Sequence, residues 1–112
     1  DVNNSLKILN DNGFILLHDC LPRSIAHQAI PRYRGSWNGD VWKALVELRT
    51  RSDLDTYTCQ IDFGVGIVQK KKNTEILFFE KKYFKDLKFS DYYHNFSSFM
   101  RVIDYKKALE LI

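Results

Sequence analysis

The chain has 112 residues, of which 45% are hydrophobic, 14% aromatic and 28% charged, and its net charge is +3. This length allows one domain at most, and the composition supplies a hydrophobic core, which argues against intrinsic disorder. No apolar run approaches the length of a membrane span, and no signal-peptide pattern is present, so we expect a soluble, intracellular protein.

Residues 2–10 are predicted to end an amphipathic helix, because their apolar side chains recur at helical spacing. Asn12 and Gly13 follow, and both tolerate the left-handed conformation of a helix C-cap. The apolar run at 14–17 predicts a strand buried on both faces, as in a parallel sheet covered by helices. Pro22 prevents its extension, and a long loop follows to Gly39.

A second helix is predicted from about Gly39 to Arg51, with Asn38 as its N-cap. Polar and apolar residues alternate over 55–61, which predicts a strand, and the apolar run at 65–69 completes an antiparallel hairpin with it. The remaining sequence is rich in aromatic residues that could form a lid, a dimer interface or core, and it is expected to close with a helix over 105–112.

Three segments resemble class I S-adenosylmethionine-dependent methyltransferases. Residues 9–20 resemble the fifth strand of that fold, with an acidic residue at its carboxyl end, whereas residues 37–44 and 61–66 resemble a bacterial subfamily that accompanies glycan and surface-polysaccharide synthesis. The resemblance covers residues 1–70 well and the tail loosely. It implies an α/β fold: the C-terminal half of a Rossmann-like methyltransferase sheet, with one parallel-type strand plus an antiparallel hairpin, flanked by helices.

In that family the cofactor is bound by a Gly-rich loop and an acidic residue that precede this region. We therefore expect residues 1–112 to be a single partial domain whose cofactor-binding half lies before Asp1, and which is inactive by itself. The segment Gly64-Val65-Gly66 is not the missing loop, because it leads into a strand, whereas phosphate and cofactor loops lead into a helix.

The predicted catalytic residues are His18 and Asp19, because ligands bind beyond the carboxyl ends of parallel strands. Metal-dependent O-methyltransferases resemble this chain there, and they imply that Asp19 helps to hold Mg²⁺ beside an acceptor hydroxyl. His18 and Cys20 stand where those enzymes offer oxygen ligands. Direct proton abstraction by a neutral His18 is the alternative. Both side chains could instead only bind the backbone at the strand end.

The predicted substrate-binding residues are Trp37, Asn38 and Asp40, because an exposed indole beside polar groups can stack on a sugar. The competing interpretation is that Asn38 only caps the helix and that Trp42 packs in the core. A sugar or another small hydroxylated molecule is the expected acceptor. S-adenosylmethionine is the expected cofactor, and only the full-length parent protein is expected to bind it.

Two isolated cysteines, Cys20 and Cys59, predict buried free thiols and a cytoplasmic location. Basic clusters at 70–72 with 81–82, and at Arg32 and Arg34 with Arg49 and Arg51, are interpreted as solvated charge, and no nucleic-acid-binding motif accompanies them. An unpaired strand edge or the aromatic tail predicts a homodimer. The main rival to an enzyme is a non-enzymatic α/β module that self-associates or binds a protein partner.

Overall fold

The computed structural model describes residues 2–24, 28, 39–78 and 84–111. Along these residues the helices are α1 (Val2–Ile8), α2 (Val41–Arg49), α3 (Phe89–His94), α4 (Phe96–Met100) and α5 (Tyr105–Leu111). The strands are β1 (Phe14–Leu17), β2 (Asp55–Cys59), β3 (Val65–Gln69) and β4 (Val102–Ile103). None of the described helices has the length and apolar character that crossing a membrane would require.

The four strands form one mixed sheet in the order β1-β3-β2-β4. Strand β3 is antiparallel to both of its neighbours, with Leu16 opposite Ile67 on one side and Tyr57 opposite the same residue on the other. Strand β4 pairs with β2 in parallel. Strands β1, β2 and β4 therefore share one direction, and β3 alone runs against them. The predicted α/β class and the predicted hairpin over residues 55–69 are both confirmed.

Helices cover the two faces of the sheet unequally. One face packs against α1 and α2 through an apolar cluster of Val2, Leu6, Ile15, Leu17, Leu48, Leu54 and Val68. The other face is covered by α5, where Ala108 packs against Cys59 and Ile67. A third cluster joins α2 to the C-terminal segment and contains Cys20, Leu21, Trp42, Leu45, Val46, Leu87, Tyr92, Phe99 and Met100.

The expectation that β1 is buried on both faces is wrong. Its bounds are as predicted, but Leu16 is 58% exposed. In the described part of the chain β1 is an edge strand, paired only with β3, and α5 packs against the far side of the sheet near Cys59. An apolar run therefore identified the strand, but not its place in the sheet.

The alternation of polar and apolar residues over 55–61 does not correspond to alternating exposure. A period-two strand normally exposes its polar face, yet Thr56 and Thr58 are completely buried. Strand β2 lies between β3 and β4, and its two threonines lie on the same sheet face as Val68, which packs with Leu48 of α2. Polarity along β2 therefore does not report exposure, and the strand itself ends at Cys59 rather than at residue 61.

Helix α2 begins later than the sequence predicted. Asp40, not Asn38, occupies the N-cap position, and its side chain makes no capping hydrogen bond. Gly39 has a φ of 70°, which a right-handed helix cannot accommodate, so the helix cannot start there. Asn38 itself lies outside the described residues.

The C-terminal segment adds two features that its aromatic pattern did not reveal. One is β4, only two residues long, which the sequence analysis missed. The other is Arg101, whose left-handed backbone (φ 45°) separates α4 from β4 and directs its guanidinium to Asp55 at 2.7 Å and Glu75 at 3.0 Å. The predicted final helix is confirmed as α5 over Tyr105–Leu111.

Candidate functional site

The candidate site lies at one end of the sheet, where β1 and β2 finish and β3 begins. After β1, Asp19 adopts a left-handed backbone (φ 60°), a conformation that Asp tolerates better than most residues. The next two backbone N–H groups then donate to the β2–β3 connection, from Cys20 to the carbonyl of Gly64 at 3.0 Å and from Leu21 to that of Phe63 at 2.7 Å. These bonds hold the tip of β1 beside the hairpin.

His18 is held between two carboxylates at this tip. Its Nε2 lies 3.0 Å from Oδ2 of Asp62, and its Nδ1 lies 3.1 Å from Oδ1 of Asp19. The hydrogen bond with Asp62 and the negative charge of Asp19 raise the pKa of His18. The ring is exposed to solvent, so it remains accessible to a ligand. The exposed ring can therefore exchange a proton with solvent, although each of its nitrogens lies beside a carboxylate.

Sequence reasoning named His18 and Asp19 but missed Asp62. The structure brings all three together although Asp62 is 44 residues from His18. The available signal was the turn Asp62-Phe63-Gly64: Asp62 has a φ of 52° and Gly64 a φ of 86°, which together reverse the chain tightly. Because β3 pairs with β1 on one side and with β2 on the other, the turn that joins β2 to β3 lies beside the end of β1.

The residues at this tip do not fit a Mg²⁺ site. Among the described residues, no group of three His, Cys, Asp or Glu side chains is arranged so that it could hold a metal ion. Both nitrogens of His18 face carboxylates. The Cys20 thiol is buried and donates to the carbonyl of Leu17, and burial raises its pKa to about 12, so it stays protonated and offers no thiolate. We therefore derive no step through a metal.

The predicted substrate-binding residues are only partly described. Trp37 and Asn38 lie outside the described residues, and Asp40 occupies the N-cap position of α2 without a side-chain capping hydrogen bond. Trp42, for which a core position was the competing interpretation, is fully buried, and its ring centroid lies 5.2 Å from that of Tyr92. Asp40 is not among the described residues that line the cleft at this edge.

A cleft of about 550 Å³ opens beside the His18 cluster. It is lined by Leu21, Pro22, Arg23, Gln60, Asp62, Tyr92, Tyr93 and Phe96, which come from the segments after β1 and β2 and from α3 and α4. Asp62 thus belongs both to the cleft and to the cluster around His18. Its size and its position beyond the carboxyl ends of two strands are typical of a small-molecule site in α/β proteins.

The glycines at the start of β3 serve packing. A Cβ at Gly66 would lie 2.7 Å from Cδ1 of Leu45 and 3.1 Å from Sγ of Cys20, so helix α2 can approach the sheet only because that side chain is absent. Gly64 has a positive φ, and Leu21 packs directly against it. Each glycine of this pair therefore has a structural reason that involves no cofactor.

Several basic residues are engaged within the fold rather than forming a free patch. Lys70 donates through Nζ to the carbonyls of Leu6 (3.0 Å) and Leu9 (2.9 Å), at the end of α1. Arg49 is only 2% exposed, which contradicts its interpretation as solvated charge, and it donates to the carbonyl of Ser98. Arg51 forms an ion pair with Asp53. Arg32, Arg34, Lys81 and Lys82 lie outside the described residues.

The edge where β1 and β2 end thus combines a proton-accepting imidazole, two carboxylates and a cleft of ligand size. The arrangement places a titratable imidazole beside a cleft large enough for a small molecule. No family model matches the chain, and no curated protein or solved structure is significantly similar to it. The chemistry of this edge and the order of the strands are therefore the grounds on which its function is inferred.

Proposed function

We propose that the chain is the C-terminal part of a class I, Rossmann-like S-adenosylmethionine-dependent methyltransferase that methylates an oxygen of a sugar or another small hydroxylated acceptor. The observation that carries this proposal is the order β1-β3-β2, in which β3 lies antiparallel between two strands of common direction. A methyltransferase sheet closes in this way, with its last strand inserted between the two strands before it. The cofactor-binding elements would then precede Asp1, and residues 1–112 alone would be inactive.

The proposed role of the chain is to bind and deprotonate the acceptor. The cofactor, when bound, supplies an electrophilic methyl group. Asp19 holds the Nδ1 side of the imidazole at 3.1 Å, which leaves Nε2 to face the cleft side, where Asp62 now lies at 3.0 Å. An acceptor hydroxyl that displaces the Asp62 carboxylate from Nε2 would pass its proton to that nitrogen, in the neutral form of the ring, as the oxygen is methylated. The proton leaves later to solvent, because the ring is exposed.

The raised pKa of His18 sets the pH dependence of this step. The base form of the imidazole becomes the main species only above that raised pKa. We therefore expect the rate to increase as the pH rises through this raised pKa and to level off above it. Replacement of Asp62 by Asn should move this rise to lower pH, since the hydrogen bond to Asp62 is the largest cause of the shift.

The test needs the coding sequence upstream of Asp1 and the protein extended to include it. A strand followed by a Gly-rich loop and a helix upstream would support the proposal, and calorimetry should then detect S-adenosylmethionine binding to the extended protein but not to residues 1–112. His18→Asn should reduce methyl transfer to a hydroxylated acceptor without changing cofactor affinity. An extended protein that does not bind S-adenosylmethionine would rule the proposal out.

The two cysteines support a reducing compartment, and we propose the cytoplasm. Cys20 and Cys59 are both free and buried, as the sequence predicted. Thiols in such positions are typical of proteins that are not exposed to disulfide-forming conditions. Nucleic acid is not a proposed partner.

A second candidate function, self-association as an interaction module, is favoured by the free edge of β1. Within the described residues no strand pairs with that edge, and the segment from Gly13 to Leu17 carries neither proline nor charge to block pairing. Antiparallel pairing of two copies centred on Leu16 would extend the sheet and cover this exposed side chain.

Light scattering at high protein concentration tests this second candidate. A dimer that Leu16→Lys dissociates would support it, and Ile8→Lys is the control because Ile8 is exposed and lies on α1 rather than on β1. A clean monomer at high concentration would refute it.

A further inference from the structure

The cleft beside His18 has one aromatic wall and one polar wall. Tyr93 and Phe96, on α3 and α4, contribute the aromatic surface, and Tyr93 is 70% exposed. When a ligand covers the face of such an exposed aromatic side chain, the burial of apolar surface favours binding. Gln60 and Asp62, from the segment after β2, contribute an amide and a carboxylate to the same cleft.

The aromatic wall is held rigidly from behind. Tyr92 packs edge-to-face on Phe96 at 5.5 Å between ring centroids, and it also packs on Trp42 and Phe89. Its hydroxyl donates to the carbonyl of Pro22 at 3.0 Å, which ties α3 to the segment that follows β1. A cleft whose walls are fixed in this way loses little conformational entropy when a ligand binds.

The charges that line the cleft already have partners. Oδ2 of Asp62 lies 3.0 Å from Nε2 of His18. Arg23 donates to the backbone carbonyl of Asp62 at 3.3 Å and lies over the ring of Phe63 at 4.8 Å. A cationic ligand would meet a carboxylate that is already compensated, and an anionic ligand would meet an engaged guanidinium. This balance favours a neutral ligand over an ion.

We infer that the cleft binds a neutral pyranose ring, with one apolar face of the ring stacked on Tyr93 and its hydroxyl groups hydrogen-bonded to Gln60 and Asp62. A pyranose presents C–H groups on its face and hydroxyls around its rim, which matches one aromatic wall and one polar wall. A hydroxyl that reaches Asp62 also comes close to Nε2 of His18, because the two atoms are 3.0 Å apart. The inference rests on the proposed function in taking this cleft as the acceptor site.

Binding is tested on the chain itself, without cofactor. Methyl β-D-glucopyranoside and methyl β-D-galactopyranoside are titrated into the ¹⁵N-labelled chain, with glycerol as a polyol that has no ring face and tetramethylammonium as a cation. We expect saturable shifts of the amides at 60–62 and 92–96 with at least one glycoside. Tyr93→Ala should weaken that binding by about three- to tenfold, the loss of one stacking contact.

The matched control is Phe78→Ala, which removes an aromatic side chain that is 89% exposed and does not line the cleft. It should leave glycoside affinity unchanged. Absence of saturable shifts with both glycosides, an unchanged affinity in Tyr93→Ala, or tighter binding of tetramethylammonium than of either glycoside would overturn the inference. Because no cofactor is used, glycoside binding without methyl transfer in the extended protein would reject the proposed function alone, and transfer without glycoside binding would reject this inference alone.

Discussion

The buried ion pair between Asp55 and Arg101 gives the sharpest stability prediction. Their atoms Oδ1 and Nη1 are 2.7 Å apart, and Asp55 is 1% exposed. The same carboxylate oxygen accepts from the backbone N–H and the hydroxyl of Thr74, at 3.1 and 3.0 Å. The pair joins the start of β2 to the residue before β4, which are 46 residues apart. We therefore predict that Asp55→Asn destabilises the whole sheet.

The size of the loss in unfolding free energy depends on the contacts that Arg101 keeps in the variant. Loss of one partner of a buried ion pair costs about 3–5 kcal/mol when the other charge is left uncompensated. Arg101 keeps Glu75 at 3.0 Å and its stack on Tyr57 at 3.8 Å, and Asn at position 55 can still accept from Thr74. We therefore expect a lower loss of unfolding free energy, about 2–3 kcal/mol. With a urea slope of roughly 1–3 kcal/mol/M, the midpoint should fall by about 0.7–3 M.

Asp53→Asn is the matched control. Its ion pair with Arg51 has the same 2.7 Å separation, but both side chains are much more exposed. Exposed pairs contribute about 0.2–1 kcal/mol, so the control should be nearly as stable as the wild type. The double variant Asp55→Asn/Arg101→Met should lose less than the sum of the single variants, because it leaves no charge unpaired. Equal losses in Asp55→Asn and Asp53→Asn would refute the reasoning.

The stability of the protein should also depend on pH, because Asp55 titrates differently in the folded and unfolded states. Burial alone would raise the pKa of Asp55, but the hydrogen bonds from Thr74 and the charge of Arg101 outweigh it, so its pKa is lowered. This carboxylate therefore contributes stability above its unfolded pKa of about 3.9, and the contribution is lost as pH falls through the lower folded value. The unfolding free energy of Asp55→Asn, measured by urea denaturation at a series of acidic pH values, should therefore fall less steeply with decreasing pH than that of the wild type.

Three further predictions concern other parts of the fold. In an NMR titration the pKa of His18 should exceed 6.5, and Asp62→Asn should lower it more than Asp19→Asn does; the reverse order would contradict the geometry of the cluster. Any contribution of His18 to stability should be fully present below its unfolded pKa and lost as pH rises through the folded value. Lys70→Met should cost about 1 kcal/mol in chemical denaturation and speed amide exchange in α1, since two carbonyls lose their donor, whereas exposed Lys72→Met should do neither. Gly66→Ala should cost about 1–3 kcal/mol in urea denaturation because its Cβ would meet Leu45 at 2.7 Å, and an unchanged midpoint would show that α2 can move away freely.

The candidate site was only half visible in the sequence. His18 and Asp19 could be named because they follow an apolar run, and the end of a strand is a local feature. Asp62 and the aromatic wall of the cleft could not be named, because Tyr93 and Asp62 meet only once β2, α3 and β1 have packed. An aromatic side chain in a helix-like segment looks the same in sequence whether it is buried, as Tyr92 is, or largely exposed on the cleft wall, as Tyr93 is.

The sequence by itself determined the local elements of this protein. Strands β1 and β3 have the bounds that their apolar runs predicted, and α5 ends the described chain as expected, because periodicity and turn residues act over a few positions. The tertiary structure alone decided that β1 lies at an edge, that two-residue β4 joins the sheet, and that Asp55 meets Arg101. The physical reason is that strand pairing and ion pairing between distant residues depend on which surfaces pack together, and no local pattern encodes that choice.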